Sequence, residues 1–182
     1  MLFRSLFSLA CGLSVANLYY AQPMLGLIGS SFGVPIAETG LIVTSTQLGY
    51  ALGLLLIVPL GDKLENRRLI ITVMGATVLA LLSMATASGL AQFTVAALVV
   101  GFSSVVAQIL VPLAAHLAPE QSRGQVVGQV MSGLLLGILL ARAVAGVLSD
   151  LVGWRGVYGL SAAVMLVLAV ALQYKLPQRR PT

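Results

Sequence analysis

Charge is what this sequence has least of. Of 182 residues, 10 are Lys or Arg and 5 are Asp or Glu. Soluble domains carry about a quarter charged residues, so this chain has too little polar surface to wrap a water-soluble core. The single cysteine, Cys11, excludes an internal disulfide and leaves the redox compartment unread. With one histidine, His116, and few acids there is no metal-ligand cluster. A glycine-rich nucleotide loop, a nucleophile elbow and a pair of catalytic carboxylates are also missing. The sequence therefore offers no catalytic residues, no cofactor site and no enzyme chemistry. The net charge of +5 and pI near 9.9 do not imply nucleic acid, because the basic residues share no soluble face.

What is present is apolar: 59% of residues are hydrophobic and the mean hydropathy is +1.04. The apolar residues fall into six runs, over 6–28, 40–60, 69–88, 91–113, 126–148 and 156–174. A helix of about 20 residues rises some 30 Å, the thickness of the hydrocarbon layer. The expected fold is all-α, a polytopic protein of six transmembrane helices with the lipid bilayer as its solvent. No stretch is long or polar enough for a separate soluble domain, so residues 1–182 read as one unit ending in a basic linker or tail at 176–182.

With the N-terminus in the cytoplasm, Arg4, Lys63, Arg67, Arg68, Arg123, Lys175, Arg179 and Arg180 all fall inside, and only Arg155 falls outside. That bias predicts cytoplasmic N- and C-termini. Trp154 and Tyr174 fall at expected interfaces, where amphipathic rings sit. Arg4 and the apolar run after it have the outline of a secretory signal, and Ser8-Leu9-Ala10-Cys11 that of a lipoprotein site. The run continues past Cys11 to Ile28, which suits a retained spanning helix.

The chain repeats at an offset of 88 residues: Gly40 with Gly128, Leu48-Gly49 with Leu136-Gly137, Leu52 with Leu140, Leu60 with Leu148, Asp62 with Asp150, and Arg67 with Arg155. The repeats cover roughly 1–88 and 89–175. A three-span unit reverses chain direction, so the copies form a 3+3 inverted repeat, the logic by which secondary transporters reach two access states.

Leu60-Gly61-Asp62-Lys63-Leu64-Glu65-Asn66-Arg67-Arg68 resembles the loop signature of the major facilitator superfamily, roughly Gly-x-x-x-Asp-Arg/Lys-x-Gly-Arg-Arg. Asp62, Lys63 and Arg67 match; Val58, Glu65 and Asn66 depart. The Pro119-to-Gly124 loop and Gly153-Trp154-Arg155 add to the likeness. It covers the whole chain, as one six-helix half of a two-half fold. It implies a secondary active transporter moving a small solute by alternating access, in a plasma membrane such as a bacterial inner membrane. It further implies a second six-helix half as partner, and a conformational gate at Asp62, Lys63 and Arg67. Where antiporter members often carry Gly-Pro-x-x-Gly-Gly, this chain has Ala141-Arg142-Ala143-Val144-Ala145-Gly146, so drug/proton exchange is not implied. Other readings are a six-helix half working as a homodimer, a non-transporting membrane scaffold, or the remnant of a disrupted transporter gene.

Arg142 is the one charge expected inside a span. An arginine near the bilayer centre costs about 3 kcal/mol or more and calls for a partner: an anionic substrate group, a carboxylate of a second half, or helix-end carbonyls. The competing reading is an arginine that snorkels outward toward Asp150. Asn17 and Tyr20 share a face of the first helix. Gln47 and Arg142 fall at similar depth, and Tyr20 and Gln108 are related by the 88-residue offset. Asn17, Tyr20, Gln47, Gln108 and Arg142 are the candidate substrate-binding set, with interhelical hydrogen bonding as the alternative role for each amide. Pro23 and Pro112 mark hinges or helix ends, and the glycine pairs 49/53 and 133/137 mark close helix contacts. His116 is expected to interact with a helix end.

Overall fold

A computed structural model of the chain describes residues 2–177, and every regular element among them is helical. In chain order these are α1 (Leu2–Ala16), α2 (Leu25–Phe32), α3 (Ile36–Leu56), α4 (Asn66–Ala85), α5 (Leu90–Ser103), α6 (Val106–Leu117) and α7 (Arg123–Lys175). Short 3-10 turns occupy Gln22–Met24, Val58–Asp62 and Glu120–Ser122. Arg179, Arg180 and most of the expected 176–182 tail lie outside the described residues.

Local chemistry sets several of these boundaries. Gly33 ends α2 in the left-handed region, with φ 66° and ψ 31°, and the amide of Val34 closes the turn onto Gly29. Pro35 then opens α3, and Glu38 sits in its first turn, where a carboxylate complements the helix dipole.

Four helical segments are long and apolar enough to cross a membrane, where the sequence suggested six: Ile36–Asp62, Asn66–Ala85, Leu90–Leu117 and Glu120–Lys175. Two features account for the difference. The first apolar run is interrupted: α1 stops at Ala16, turns occupy residues 17–21, and Pro23 lies in the 3-10 turn that leads into α2. The expected fifth and sixth runs share one long segment with no loop between them. That segment is broken at Gly153, where φ 74° and ψ 166° lie in a region open essentially to glycine alone.

Both arms of α7 reach the same place. Arg142, before the break, stands over Tyr19, and Ser161, after it, bonds Asn17. Val144, Ala145 and Leu148 share a cavity of about 170 Å³ with Val157, Leu160, Ser161, Val164 and Met165. The arms therefore lie side by side and antiparallel. A straight helix of 53 residues would extend about 80 Å, far beyond one bilayer.

Two glycine seams hold the bundle together. On α3, a Cβ added to Gly49 would collide with the carbonyl of Leu98 on α5, and Gly101 of α5 meets the carbonyl of Thr46 in the same way. On α7, a Cβ at Gly137 would strike the backbone of Gly12 on α1, while one at Gly12 would lie 2.5 Å from the carbonyl of Gly133. The expected Gly-x-x-x-Gly contacts are thus in place, with backbone on backbone. In lipid, where burial of apolar surface gives little drive, such close approach is a main source of helix association.

Between the seams, Thr77 of α4 donates to Ser103 of α5 at 2.8 Å. At one end of the bundle Phe93 is surrounded by Phe32, Trp154 and Tyr158, each edge-on at centroid distances of 5.4–6.0 Å. Large apolar side chains are exposed on several helices, among them Leu48, Leu52 and Leu55 of α3 and Leu135, Leu136 and Leu139 of α7.

Candidate functional site

The sequence-derived polar residues separate into three contacts. The first is buried. Asn17, at the point where α1 unwinds, is 4% exposed. Its Oδ1 accepts from the Ser161 hydroxyl at 2.7 Å, and the same serine is the hydrogen-bond partner of Tyr20. The Nδ2 of Asn17 and the hydroxyl of the neighbouring, fully buried Tyr158 have no hydrogen-bond partner among the described residues. Donors left unpaired in an apolar interior are costly; what ties the unwound turn to the second arm of α7 is Ser161, through Asn17 and Tyr20. Tyr20 also lines an apolar groove of about 450 Å³ between α1 and the first arm of α7, with Ser5, Ser8 and Gln129 at its polar end.

The second contact joins α6 to α3: Gln108 Nε2 donates to the Tyr50 hydroxyl at 3.1 Å. Both residues are half-buried. Gln47, one turn before Tyr50 on α3, is exposed. The third contact is Arg142. Its guanidinium lies 5.4 Å from the ring centroid of Tyr19, and Arg142 is exposed on the first arm of α7. No carboxylate pairs with it among the described residues. A cation over a ring is worth about 0.5–1 kcal/mol at an open site, which positions the side chain without neutralising it.

The loop residues expected to gate lie together at one end of the bundle. Asp62 closes the 3-10 turn Val58–Asp62 and Lys63 follows it; both are exposed. Arg67 stands in the first turn of α4, half-buried, and lines a polar groove with Glu65, Arg68, Thr72 and Gln173. None of the three is ion-paired within the described residues. At this same end Arg123 donates from Nε to the Ala115 carbonyl at 3.0 Å, fastening the turn between α6 and α7. His116 Nδ1 lies 3.4 Å from the carbonyl of Pro112, a helix-end contact of the kind expected.

Four residues make contacts that the sequence did not announce. Tyr19 and Tyr50 are the aromatic partners of Arg142 and Gln108; Tyr50 falls at helical spacing from Gln47, whereas Tyr19 lies in the turn after α1, directly before Tyr20. Ser161 carries no sequence signal, being one small polar residue in an apolar run. From the sequence Arg155 is an outside charge, the repeat partner of Arg67 and part of Gly153-Trp154-Arg155, with no side-chain partner indicated. It stacks 4.1 Å from the Trp154 centroid and donates to Ser31 Oγ at 3.2 Å and to the Ala87 carbonyl at 2.7 Å. It thereby ties α2, the turn between α4 and α5, and the second arm of α7 at the end opposite Asp62. The adjacency of Trp154 and Arg155 was the available signal.

Known proteins share this architecture. A relative from Escherichia coli strain K12, described as the putative uncharacterized transporter YgaY, is 51% identical over 175 residues, 96% of this chain and 44% of its own length. A probable transporter of Streptomyces coelicolor is 37% identical, covering 98% of this chain and 42% of its own. The chain thus spans less than half the length of these curated relatives. The crystal structure of the human organic anion transporter MFSD10 (TETRAN) superposes with a TM-score of 0.70 at 17% identity, over 98% of this chain and 49% of that one, a likeness of fold alone. The Major Facilitator Superfamily model matches residues 7–182. By that match, which takes in nearly the whole chain, the chain belongs to the Major Facilitator Superfamily.

Proposed function

We propose that this chain is the amino-terminal half of a secondary active transporter that moves a small solute by alternating access. In this reading it crosses the membrane six times, as a 3+3 inverted repeat with both termini cytoplasmic. The crossings are α1 with α2, α3, α4, α5 with α6, and the two arms of α7. The observation that carries the reading is the placement of the helix irregularities. α1 unwinds from Asn17 and the α5–α6 run breaks at Ser104–Val105, positions one 88-residue offset apart. Gly49 seats α3 on α5, and Gly137, one offset further, seats α7 on α1. Two equivalent units in opposite orientation supply two states of similar energy.

The bare face of α3 and the first arm of α7, with Gln47 and Arg142 among exposed leucines, is then the wall offered to a second half. Gln47, Gln108 and Arg142 contact the solute, and Asn17 and Tyr20 shape the turn behind them. Asp62, Lys63 and Arg67 meet the second half at the cytoplasmic end and release during the cycle, through charge-assisted hydrogen bonds.

Topology is tested by cysteine labelling with an impermeant reagent in intact cells, in a Cys11→Ser background. Glu38→Cys is expected to label from outside, and Leu64→Cys only after the membrane is opened. Outside labelling at position 64 would overturn the orientation. A second test concerns sufficiency. Reconstituted alone as a demonstrated monomer, the chain is expected to insert but to show no substrate-coupled flux, because a cavity between halves has one wall here. Flux by a verified monomer would refute the half-transporter reading.

A further inference from the structure

The polar groove at the Asp62 end has a second chemical character, and it shares Arg67 with the proposed gate. It lies between the first turn of α4 and the last turn of α7, encloses about 310 Å³, and is lined by Glu65, Arg67, Arg68, Ile71, Thr72 and Gln173. Neither arginine has a carboxylate partner among the described residues, although Glu65 lies on the same groove. The Gln173 amide is likewise without a hydrogen bond there. Thr72 is engaged by the helix, donating to the Arg68 carbonyl at 2.8 Å. Ile71 is the one apolar lining residue. Lys175 lies two residues beyond Gln173, and Tyr174 between them is 81% exposed, the placement of an aromatic residue at a membrane interface. The adjacent second arm of α7 exposes Leu166, Val167 and Val170, an apolar track leading away from the groove.

Two unpaired guanidinium groups at a helix-pair end, above an apolar track and beside an interfacial tyrosine, match a phosphodiester carried on acyl chains. Arginine forks fit phosphate oxygens bidentately, and basic pockets between transmembrane helices are suited to anionic headgroups. We propose that this groove binds the headgroup of an anionic phospholipid. Arg67 and Arg68 hold the phosphate, Gln173 donates to a headgroup oxygen, and the acyl chains lie along the second arm of α7. Charge selects the class: with Lys175 close by, the groove carries more positive than negative groups, which favours phosphatidylglycerol over a zwitterionic lipid.

The site requires only a bilayer on this end of the bundle. It stands whichever leaflet that proves to be and whether or not the chain transports. The test is native mass spectrometry of the purified protein in non-ionic detergent, titrated with dioleoylphosphatidylglycerol or dioleoylphosphatidylcholine. Phosphatidylglycerol is expected to bind in preference to phosphatidylcholine. The double variant Arg67→Gln, Arg68→Gln should weaken phosphatidylglycerol binding roughly 30-fold, given about one surface-charge contribution per arginine. The variant Arg4→Gln, Arg123→Gln removes the same charge from residues that line no part of the groove and should leave the affinity within about twofold. Arg67→Lys with Arg68→Lys keeps the charge but loses the planar forks, and should retain the preference for phosphatidylglycerol at reduced affinity, which serves if the glutamine variant does not fold. Equal affinity for the two lipids, an equal loss in both glutamine variants, or full displacement by millimolar inorganic phosphate would each overturn the proposal, the last by assigning the groove to a soluble anion.

Discussion

Gly49→Ala and Gly137→Ala should each reduce the yield of folded, monodisperse protein roughly tenfold, the scale of overpacking in a close-packed interface. The added methyl group would overlap backbone of the facing helix, Leu98 on α5 or Gly12 on α1, and a backbone cannot swing aside as a side-chain tip can. Gly40→Ala and Gly75→Ala are the matched comparison. Neither added Cβ would meet an atom within 4 Å, so alanine's higher helix propensity should leave stability equal or higher by up to about 1 kcal/mol. The measurements are folded yield by size-exclusion profile and melting temperature in detergent. If all four variants behave alike, close packing is not what joins these helices.

The second large effect concerns Arg142. In the complete transporter, Arg142→Ala is expected to weaken substrate binding roughly 30-fold, the scale of a hydrogen bond to a charged group, while insertion and folded yield hold. Arg142→Lys should retain part of the affinity, since the charge survives and the planar fork is lost. Its exposure on α7, with a ring contact and no carboxylate partner among the described residues, is what leaves the guanidinium free to meet an anionic group. A structural arginine would behave differently: both variants would lower folded yield in parallel, with affinity unchanged per folded molecule. Unchanged affinity and yield in Arg142→Ala would remove the arginine from the binding wall altogether.

The sequence was most legible where one physical requirement dominates. Lipid demands long apolar helices, so the runs containing α3, α4 and α5 with α6 could be read directly. Glycines at four-residue spacing on an apolar helix announce close packing, and Gly49 and Gly137 lie in such seams. Irregular backbone was harder to see. Asn17, Tyr19, Tyr20, Gln22 and Pro23 form a polar cluster within an apolar run, yet hydropathy averages them away, and the turn at 17–21 went unmarked. The bend at Gly153 was hidden for the opposite reason. A loop was expected between Leu148 and Gly156, but a single glycine turns the chain. Side-chain partners were the least legible, since Ser161 reaches Asn17 across 144 positions of sequence and nothing local to either reports it.

The bend at Gly153 also bears on what can be grafted onto this molecule. Two rods joined by one residue have no slack, so an epitope tag or reporter placed at 150–156 would have to pry the arms of α7 apart. It would strip Trp154 and Arg155 from Phe32, Ser31 and Ala87. Gly33 and Pro35, in the turn after Phe32, are exposed instead, and that turn is where an insertion can be absorbed.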